Sequence, residues 1–304
     1  MRGRRRGLSV AERAVRARPG FPMHQPPASD ALRRQRSQGR VALAVARMPG
    51  GATRITDLAE SGPLRLRLPR PEPGPMEAVL LNSAGGIACG DQFTVEARLA
   101  DRADLVLTTT AAEKIYRSDG PVTRLDVTLA LESGAALAWL PQETILFDGA
   151  RLARSFDAEI AADAQLTLFE ALVFGRAARG EVVREGALGD RWRIRRAGRL
   201  AYADTLRLDG DIAGRLARPA IAGGARAMAT LLHVAPDAES RLDQARALIE
   251  AAGCAALAVE AGASAWNGLM VLRLLGSEIG TLRLAAARIL EGFRGRPLPR
   301  VWQT

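Results

Sequence analysis

Cysteine and histidine are scarce in this chain of 304 residues, which contains two of each. Cys89 and Cys254 lie far apart and form no CxxC pair, so the sequence indicates neither a disulfide framework nor a redox motif. A reducing cytoplasm is therefore the expected location. A closed zinc site needs four ligands of the Cys or His type, and the chain supplies these poorly.

The short motifs of several enzyme classes are also missing. The sequence contains neither the GxxxxGK[ST] phosphate-binding loop nor the GxSxG nucleophile elbow. A histidine-based catalyst would have to use His233, because His24 lies in the N-terminal tail. The apolar neighbours of His233 favour a buried core histidine instead. These absences predict a protein that is not an enzyme.

Long apolar runs are absent as well. No transmembrane helix is expected, and the arginine-rich N-terminus lacks the apolar segment of a secretory signal. Residues 1–40 contain 11 arginines and two acidic residues, whereas residues 41–304 contain 32 basic and 31 acidic groups. We expect residues 1–40 to form a basic, disordered extension. Nucleic-acid binding through this extension is an alternative, although the neutral body argues against nucleic acid as a main partner.

Apolar and polar residues alternate through most of the chain after residue 40. The alternation is clear in QFTVEARL (92–99), in RLDVTLAL (124–131) and on both sides of Ala197-Gly198 within 191–208. Such runs are typical of half-buried strands. They predict a mainly β body at about 41–218, built as a sandwich, a barrel or a coiled stack of many strands.

The pattern changes near residue 219. The segment 236–253 predicts a helix with Asp237 as N-cap and Gly253 just after its end, and 277–295 predicts a second helix. Between them, 269–275 predicts a buried strand. We therefore expect an α+β tail at about 219–304 with two α-helices, packed on the body as one unit that spans 41–304.

Two predicted strands carry a carboxylate among apolar residues, namely Glu170 in FEALVFGR and Asp204 in YADTLRL. A buried carboxylate is costly unless it is paired or hydrogen-bonded. Surface exposure would explain both, as would a polar interior passage lined by carboxylates and water. Such groups suit weak, exchangeable contact with a divalent cation. A hydrolase that uses Glu113, Glu170 or Asp204 is the alternative, although no acid/base pair is recognisable.

Two further stretches predict turns and a strand end. In NSAGGIACGD (82–91), Gly85, Gly86 and Gly90 supply turn conformations, and Asp91 can cap the turn through backbone hydrogen bonds. TTTAAEKIYRSDG (108–120) contains Lys114, the only lysine in the chain.

Five segments together resemble the family of the urease accessory protein UreD, called UreH in some organisms. In chain order they are LLNSAGGIACGDQF, TTTAAEKIYRS, WLPQETILFDGARL, FGRAARGE with DRWRIRRAGRLAYADTLRL, and the terminal LPRVWQT. The resemblance runs from about residue 40 to residue 304. The first 40 residues lie outside it.

This resemblance implies a non-enzymatic scaffold in the maturation of nickel urease. Proteins of this family bind the urease apoprotein and a helical partner, UreF, which recruits the GTPase UreG that brings nickel. Their fold is mostly β, a helical stack of strands with two helices. The resemblance thus implies no stably bound cofactor, with nickel ions in transit.

The resemblance also implies site residues. Nickel is thought to cross the β body of the family through a tunnel, whose polar residues would fall here at Asp91, Glu113, Glu170 and Asp204. This chain departs from the family where Cys89 replaces a glycine and where Glu113 replaces a small hydroxyl residue. The thiol and the added carboxylate would either tighten a passing nickel contact or be neutral.

The AAEKIYRS element looks like a signature strand of the family and contains Lys114, Tyr116 and Arg117. The resemblance implies that Lys114 is a charge partner or a backbone-positioning group of that strand.

Overall fold

The computed structural model describes residues 36–70 and 74–303. The expected basic extension therefore lies outside the described residues, apart from its last five positions. Seven strands form one sheet, sheet A, and in chain order they are β1 (Gln38–Arg47), β2 (Thr53–Ser61), β5 (Gln92–Leu99), β8 (Thr123–Leu131), β11 (Arg151–Ile160), β13 (Glu185–Arg196) and β14 (Arg199–Asp211).

A second sheet, sheet B, faces the first. Its ten strands are β3 (Leu64–Arg67), β4 (Met76–Asn82), β6 (Asp104–Thr109), β7 (Glu113–Ile115), β9 (Ala136–Leu140), β10 (Thr144–Leu146), β12 (Gln165–Phe174), β15 (Ala227–Val234), β16 (Val259–Trp266) and β17 (Leu269–Gly276).

Most strands pair in parallel, because the chain passes from sheet A to sheet B and back in successive coils. In sheet A, β1, β5, β8, β11 and β13 form a continuous parallel ladder. In sheet B, β4, β6, β9 and β12 do the same. Strands β5, β8 and β11 begin at Gln92, Thr123 and Arg151. Each coil thus stacks on the coil before it, which confirms the predicted helical stack of strands.

Antiparallel strands close both ends of the stack. In sheet A, β2 pairs with β1, and β14 pairs with β13. The turn from β13 to β14 uses Ala197 (φ 49°) and Gly198 (φ 77°), the left-handed pair that a two-residue hairpin requires, as predicted. In sheet B, β3 pairs with β4, while β15, β17 and β16 continue from β12 in antiparallel order.

Apolar side chains fill two layers. The first lies between the sheets and includes Phe93, Val95, Ala97 and Leu99, the four positions predicted to share the buried face of their strand. The second lies between sheet B and two helices, and includes Phe293. Sheet A has one covered face, which is why its strands alternate so clearly.

Three α-helices lie in the later part of the described chain, namely α1 (Ile212–Leu216), α2 (Leu242–Ala251) and α3 (Ile279–Arg294). The two predicted helices correspond to α2 and α3. The short α1, which Asp211 caps by accepting from the N–H of Gly214 at 2.8 Å, was not predicted, because five residues carry too little periodicity. No helix of the described residues combines the length and apolar character needed to cross a membrane.

The predicted start of α2 is wrong. The helix begins at Leu242 after a 3₁₀ turn at Glu239–Arg241, and Asp237 does not act as its N-cap. The backbone carbonyl of Asp237 instead accepts from the N–H of Ser240 at 3.1 Å. Residues 236–238 form a turn between β15 and this 3₁₀ turn, so the helix begins later than the predicted start. The helix end is as predicted, since Gly253 adopts φ 73° just beyond it.

Candidate functional site

Two cavities lie within the β body, and each is lined by strands of both sheets. The first has a volume of about 200 Å³, and Glu113 lies in its wall. The second has a volume of about 330 Å³ and is lined by Asp190 and Asp204 among others. Arg154 and Glu170 line both cavities. These two side chains therefore belong to the wall that the cavities share.

The shared wall is built on a buried ion cluster of three residues, which we call the triad: Arg154, Glu170 and Asp190. Arg154 on β11 lies directly opposite Asp190 on β13 in the parallel ladder of sheet A. Its Nε and Nη2 donate to the two carboxylate oxygens of Asp190 at 2.9 and 2.6 Å. Its Nη1 donates to Oε2 of Glu170 on β12. The guanidinium thus links sheet A to sheet B.

Two tryptophans hold the carboxylates of the triad. The indole N–H of Trp139 donates to Oε1 of Glu170 at 2.8 Å, and that of Trp192 donates to Oδ1 of Asp190 at 3.2 Å. Phe156 contacts both indoles, with ring centroids 5.6 and 5.9 Å away. A buried indole N–H needs an acceptor, so the aromatic packing and the ion cluster fix one another.

The triad places two carboxylates around one guanidinium. All three residues are buried. Burial lowers the pKa of Arg154, but the combined attraction of Asp190 and Glu170 raises it above its ordinary value. Burial raises the pKa of Glu170, and Arg154 only partly opposes this effect. Two carboxyl groups thus share one guanidinium in the buried wall.

Glu113 also lines the first cavity. The amide of Asn82 donates to its Oε1 and Oε2 at 3.1 and 3.2 Å. Burial raises the pKa of Glu113 to about 7, while Asn82 and the charge of Lys114 lower it by less. Glu113 is therefore close to half ionised at neutral pH.

The pH dependence of stability should reveal the raised pKa of Glu113. Its folded pKa, about 7, lies above its ordinary value of 4.5. The protonated carboxyl therefore stabilises the fold fully below about pH 4.5, and this contribution is lost as the pH rises to about 7. Relative to Glu113→Gln, which has no such titration, the wild-type chain should lose stability over this window. Urea denaturation of both proteins from pH 4.5 to 8 measures the difference, and a constant difference would contradict the assignment.

Asp204 borders the second cavity near the surface, with 41% of its side chain exposed. The Tyr202 hydroxyl donates to its Oδ2 at 3.0 Å, and Arg273 donates to the same oxygen at 2.6 Å. Burial and the charge of Asp204 raise the pKa of Tyr202 to about 12. Asp204 thus takes part in an ion pair at the outer side of this cavity.

The glycine loop is placed differently. Asp91 is buried, and its carboxylate accepts from the N–H groups of Ser37 and Ala88 at 2.7 and 2.8 Å, which confirms the predicted turn cap. The thiol of Cys89 donates to a carboxylate oxygen of Asp119 at 2.8 Å. Neither Asp91 nor Cys89 lies in the lining of either cavity.

Backbone conformation explains one of the loop glycines, and close packing explains another. Gly90 has φ 78°, a left-handed conformation that favours glycine. A Cβ on Gly86 would lie 2.5 Å from the ring of Tyr116, whose hydroxyl donates to the carbonyl of Gly85 at 3.2 Å. The loop therefore packs directly on the signature strand.

The signature strand continues this packing. In β7, Ile115 is buried and Lys114 is exposed, as the alternation of side chains along a strand requires. The backbone carbonyl of Lys114 accepts from the N–H of Ile87 at 2.7 Å. Arg117 forms an isolated bridge with Ala150. Lys114 thus positions the glycine loop through its backbone, and its charge acts weakly on Glu113.

The sequence interpretation missed Arg154 and Asp190. Both occupy inward positions of alternating strands, Arg154 between Leu152 and Phe156, and Asp190 between Leu188 and Trp192. This register was a usable signal, because a charge at an inward position needs a buried partner.

The described ranges, 36–70 and 74–303, contain no group of three or more His, Cys, Asp or Glu side chains placed to hold a metal ion together. The carboxylates of the two cavities occur singly or paired with arginine.

Comparison with known proteins gives a consistent result. A family model described as UreD urease accessory protein matches residues 37–303. The urease accessory protein UreD of Methylobacterium sp. (strain 4-46) is 73% identical over 272 residues, which cover 90% of this chain and 96% of that protein. The protein of the same name from Xanthobacter autotrophicus is 57% identical, over 89% of this chain and 91% of that protein. UreD 3 of a Bradyrhizobium strain is 47% identical, over 90% and 96%.

Proposed function

The chain belongs to the UreD family of urease accessory proteins, with a role in urease maturation, and on this basis we propose that it is a scaffold through which nickel reaches apo-urease. The family name describes accessory proteins of the enzyme, in line with the prediction that the chain is not itself an enzyme. Nickel is the cargo in this proposal and is not a resident cofactor.

The observation that carries the proposal is the pair of cavities that meet at the triad. A path from Glu113 to Asp204 through both cavities would pass Glu170, which lines both. Carboxylates spaced along a path give a divalent cation successive weak ligands, whereas a site with several histidines or thiolates would retain it. Asp91 and Cys89 lie outside both linings, so we assign them to support of the glycine loop.

The chain needs partners for this role. We propose that it binds the apo-urease subunits and a UreF-like helical protein, and that a UreG-like GTPase attaches through that helical protein. Since the sequence has no phosphate-binding loop, GTP hydrolysis belongs to the partner. Purified chain alone should therefore show no GTPase activity.

Co-purification tests the scaffold directly. We would co-express the tagged full chain with the urease subunits and the helical protein, and wash the complex in moderate salt. Retention of both partners supports the scaffold. Their loss from a soluble, folded bait would overturn it.

The nickel content of urease tests the passage. Glu170→Gln removes the charge from the shared wall and is expected to lower the nickel content per urease several-fold, while both partners still co-purify. The matched control is Glu159→Gln. Glu159 is also a buried strand carboxylate, but it accepts from the N–H of Gly198 at 3.0 Å and lines neither cavity. Equal nickel contents in the two variants would contradict the passage.

The geometry argues against Glu170 and Asp204 as the general base of the hydrolase alternative. Glu170 is held by Arg154 and Trp139, and Asp204 by Arg273 and Tyr202. A general base must be free to take up a proton in the reaction, and these carboxylates are already engaged.

A further inference from the structure

Arg154 lies where the two cavities meet, and its position raises a question that the carboxylates alone do not. A cation that moves from the first cavity to the second must pass a buried guanidinium. A divalent ion beside Glu170 would lie within a few ångströms of this fixed positive charge. In a buried setting such repulsion is strong.

We propose that Arg154 is the gating residue of the passage, an internal cation that occupies the place between Glu170 and Asp190 until a divalent metal ion displaces it. The inference rests on the proposed function, because it assumes that a cation passes between the cavities. At rest, the guanidinium joins the two carboxylates and closes the wall. When the ion arrives, the guanidinium releases Glu170, and the ion takes the freed carboxylate oxygens.

The unequal contacts of Arg154 support this order of events. It holds Asp190 through two hydrogen bonds from neighbouring strands of one sheet. It reaches Glu170, across the gap between the sheets, through Nη1 alone. The bond across the gap is therefore the one that can open while the guanidinium stays bound to sheet A. Its Nη1 also lies 3.4 Å from the Thr144 hydroxyl, a second acceptor on the side of the first cavity.

The exchange preserves the electrostatics of the site. Removal of one carboxylate partner from a buried cluster is strongly unfavourable, because a charge is left uncompensated. A divalent cation beside Glu170 replaces the positive charge that the guanidinium had supplied to this carboxylate, while Asp190 keeps its two hydrogen bonds from Arg154. The gate therefore predicts competition, in which the wild-type chain binds nickel weakly because Arg154 occupies the site.

Nickel binding to the purified full chain, alone or with its helical partner, tests the gate. The probe is NiCl₂ in equilibrium dialysis. Arg154→Met is expected to bind nickel at least about tenfold more tightly than wild type, since a competing positive charge is removed. The triple variant R154M/E170Q/D190N should lose this gain. Arg191→Met, which breaks the 2.9 Å pair with Asp157 on the same strands away from both cavities, should match wild type.

Thermal unfolding gives a second readout. Removal of a purely structural arginine would not make the Tm depend on nickel. Nickel should raise the Tm of R154M but not that of R191M. If R154M does not accumulate as folded protein, Arg154→Lys takes its place as the test variant. Lysine keeps the charge, but it lacks the planar guanidinium that binds both carboxylates at once. R154K should bind nickel more tightly than wild type.

The gate is overturned if folded R154M, or R154K in its place, binds nickel with the same affinity as the wild-type chain. The dialysis needs no urease, so it can fail while the co-purification and nickel-content experiments succeed. The converse also holds, and the two proposals are therefore separable.

Discussion

Asp190→Ala is expected to lower the free energy of unfolding by about 3–5 kcal/mol, because it leaves the guanidinium of Arg154 buried without its two-point partner. The Trp192 N–H would lose its acceptor in the same step. Urea denaturation of the wild-type and variant chains, followed by circular dichroism, measures the loss.

Glu96→Ala is the matched control for Asp190→Ala. Glu96 also lies in sheet A and also accepts two hydrogen bonds from one arginine, Arg40, at 3.1 and 3.2 Å. That pair lies at the surface, so its loss should cost less than about 1 kcal/mol. If both variants lose the same free energy of unfolding, burial does not explain the contribution of the triad to stability.

Trp302→Ala is expected to cost a similar amount, about 3–5 kcal/mol, since a large aromatic side chain leaves a packed site. Trp302 is buried near the C-terminus. Its ring lies 5.6 Å from Phe169, its N–H donates to the carbonyl of Leu140 at 3.0 Å, and Arg283 stacks over it. The variant would open the second apolar layer and leave the Leu140 carbonyl without this donor.

Trp266→Ala serves as the control for the tryptophan variant. Trp266 is 40% exposed at the end of β16 and contacts Tyr202 only at a ring-centroid distance of 6.5 Å. Its removal should lower the Tm clearly less than removal of Trp302. An equal fall in both would mean that the terminal segment does not cover sheet B as tightly as its contacts indicate.

The sequence alone predicted the strands of sheet A well, for a physical reason. One face of that sheet is uncovered, so QFTVEARL and RLDVTLAL show a strict alternation. Strand β12 shows no such alternation, because β12 has the inter-sheet layer on one side and the helix layer on the other. Residues 168–174 are all buried, on both faces of the strand. Glu170 was noticed there only as a charge among apolar neighbours.

Prediction of the triad from the sequence would have required information that no single strand contains. Arg154 and Asp190 are 36 positions apart and meet only because β11 and β13 pair in parallel with a particular register. Glu170 joins them from the opposite sheet. The periodicity alone could not separate a coiled stack from a sandwich for a related reason. Stacking requires alternation and turns, and does not require the same residues in each coil.

A stack of parallel strands has no inherent last member, because its final strand offers the same unpaired backbone groups as every strand before it. In sheet A, the hairpins that add β2 and β14 reverse the chain at both ends of the ladder. Charged side chains such as Arg199, Arg207 and Asp209 line β14, and charged edges resist further strand addition. The consequence for sheet A is that its parallel ladder ends in antiparallel edge strands, and the charges on β14 disfavour the addition of a strand from another copy.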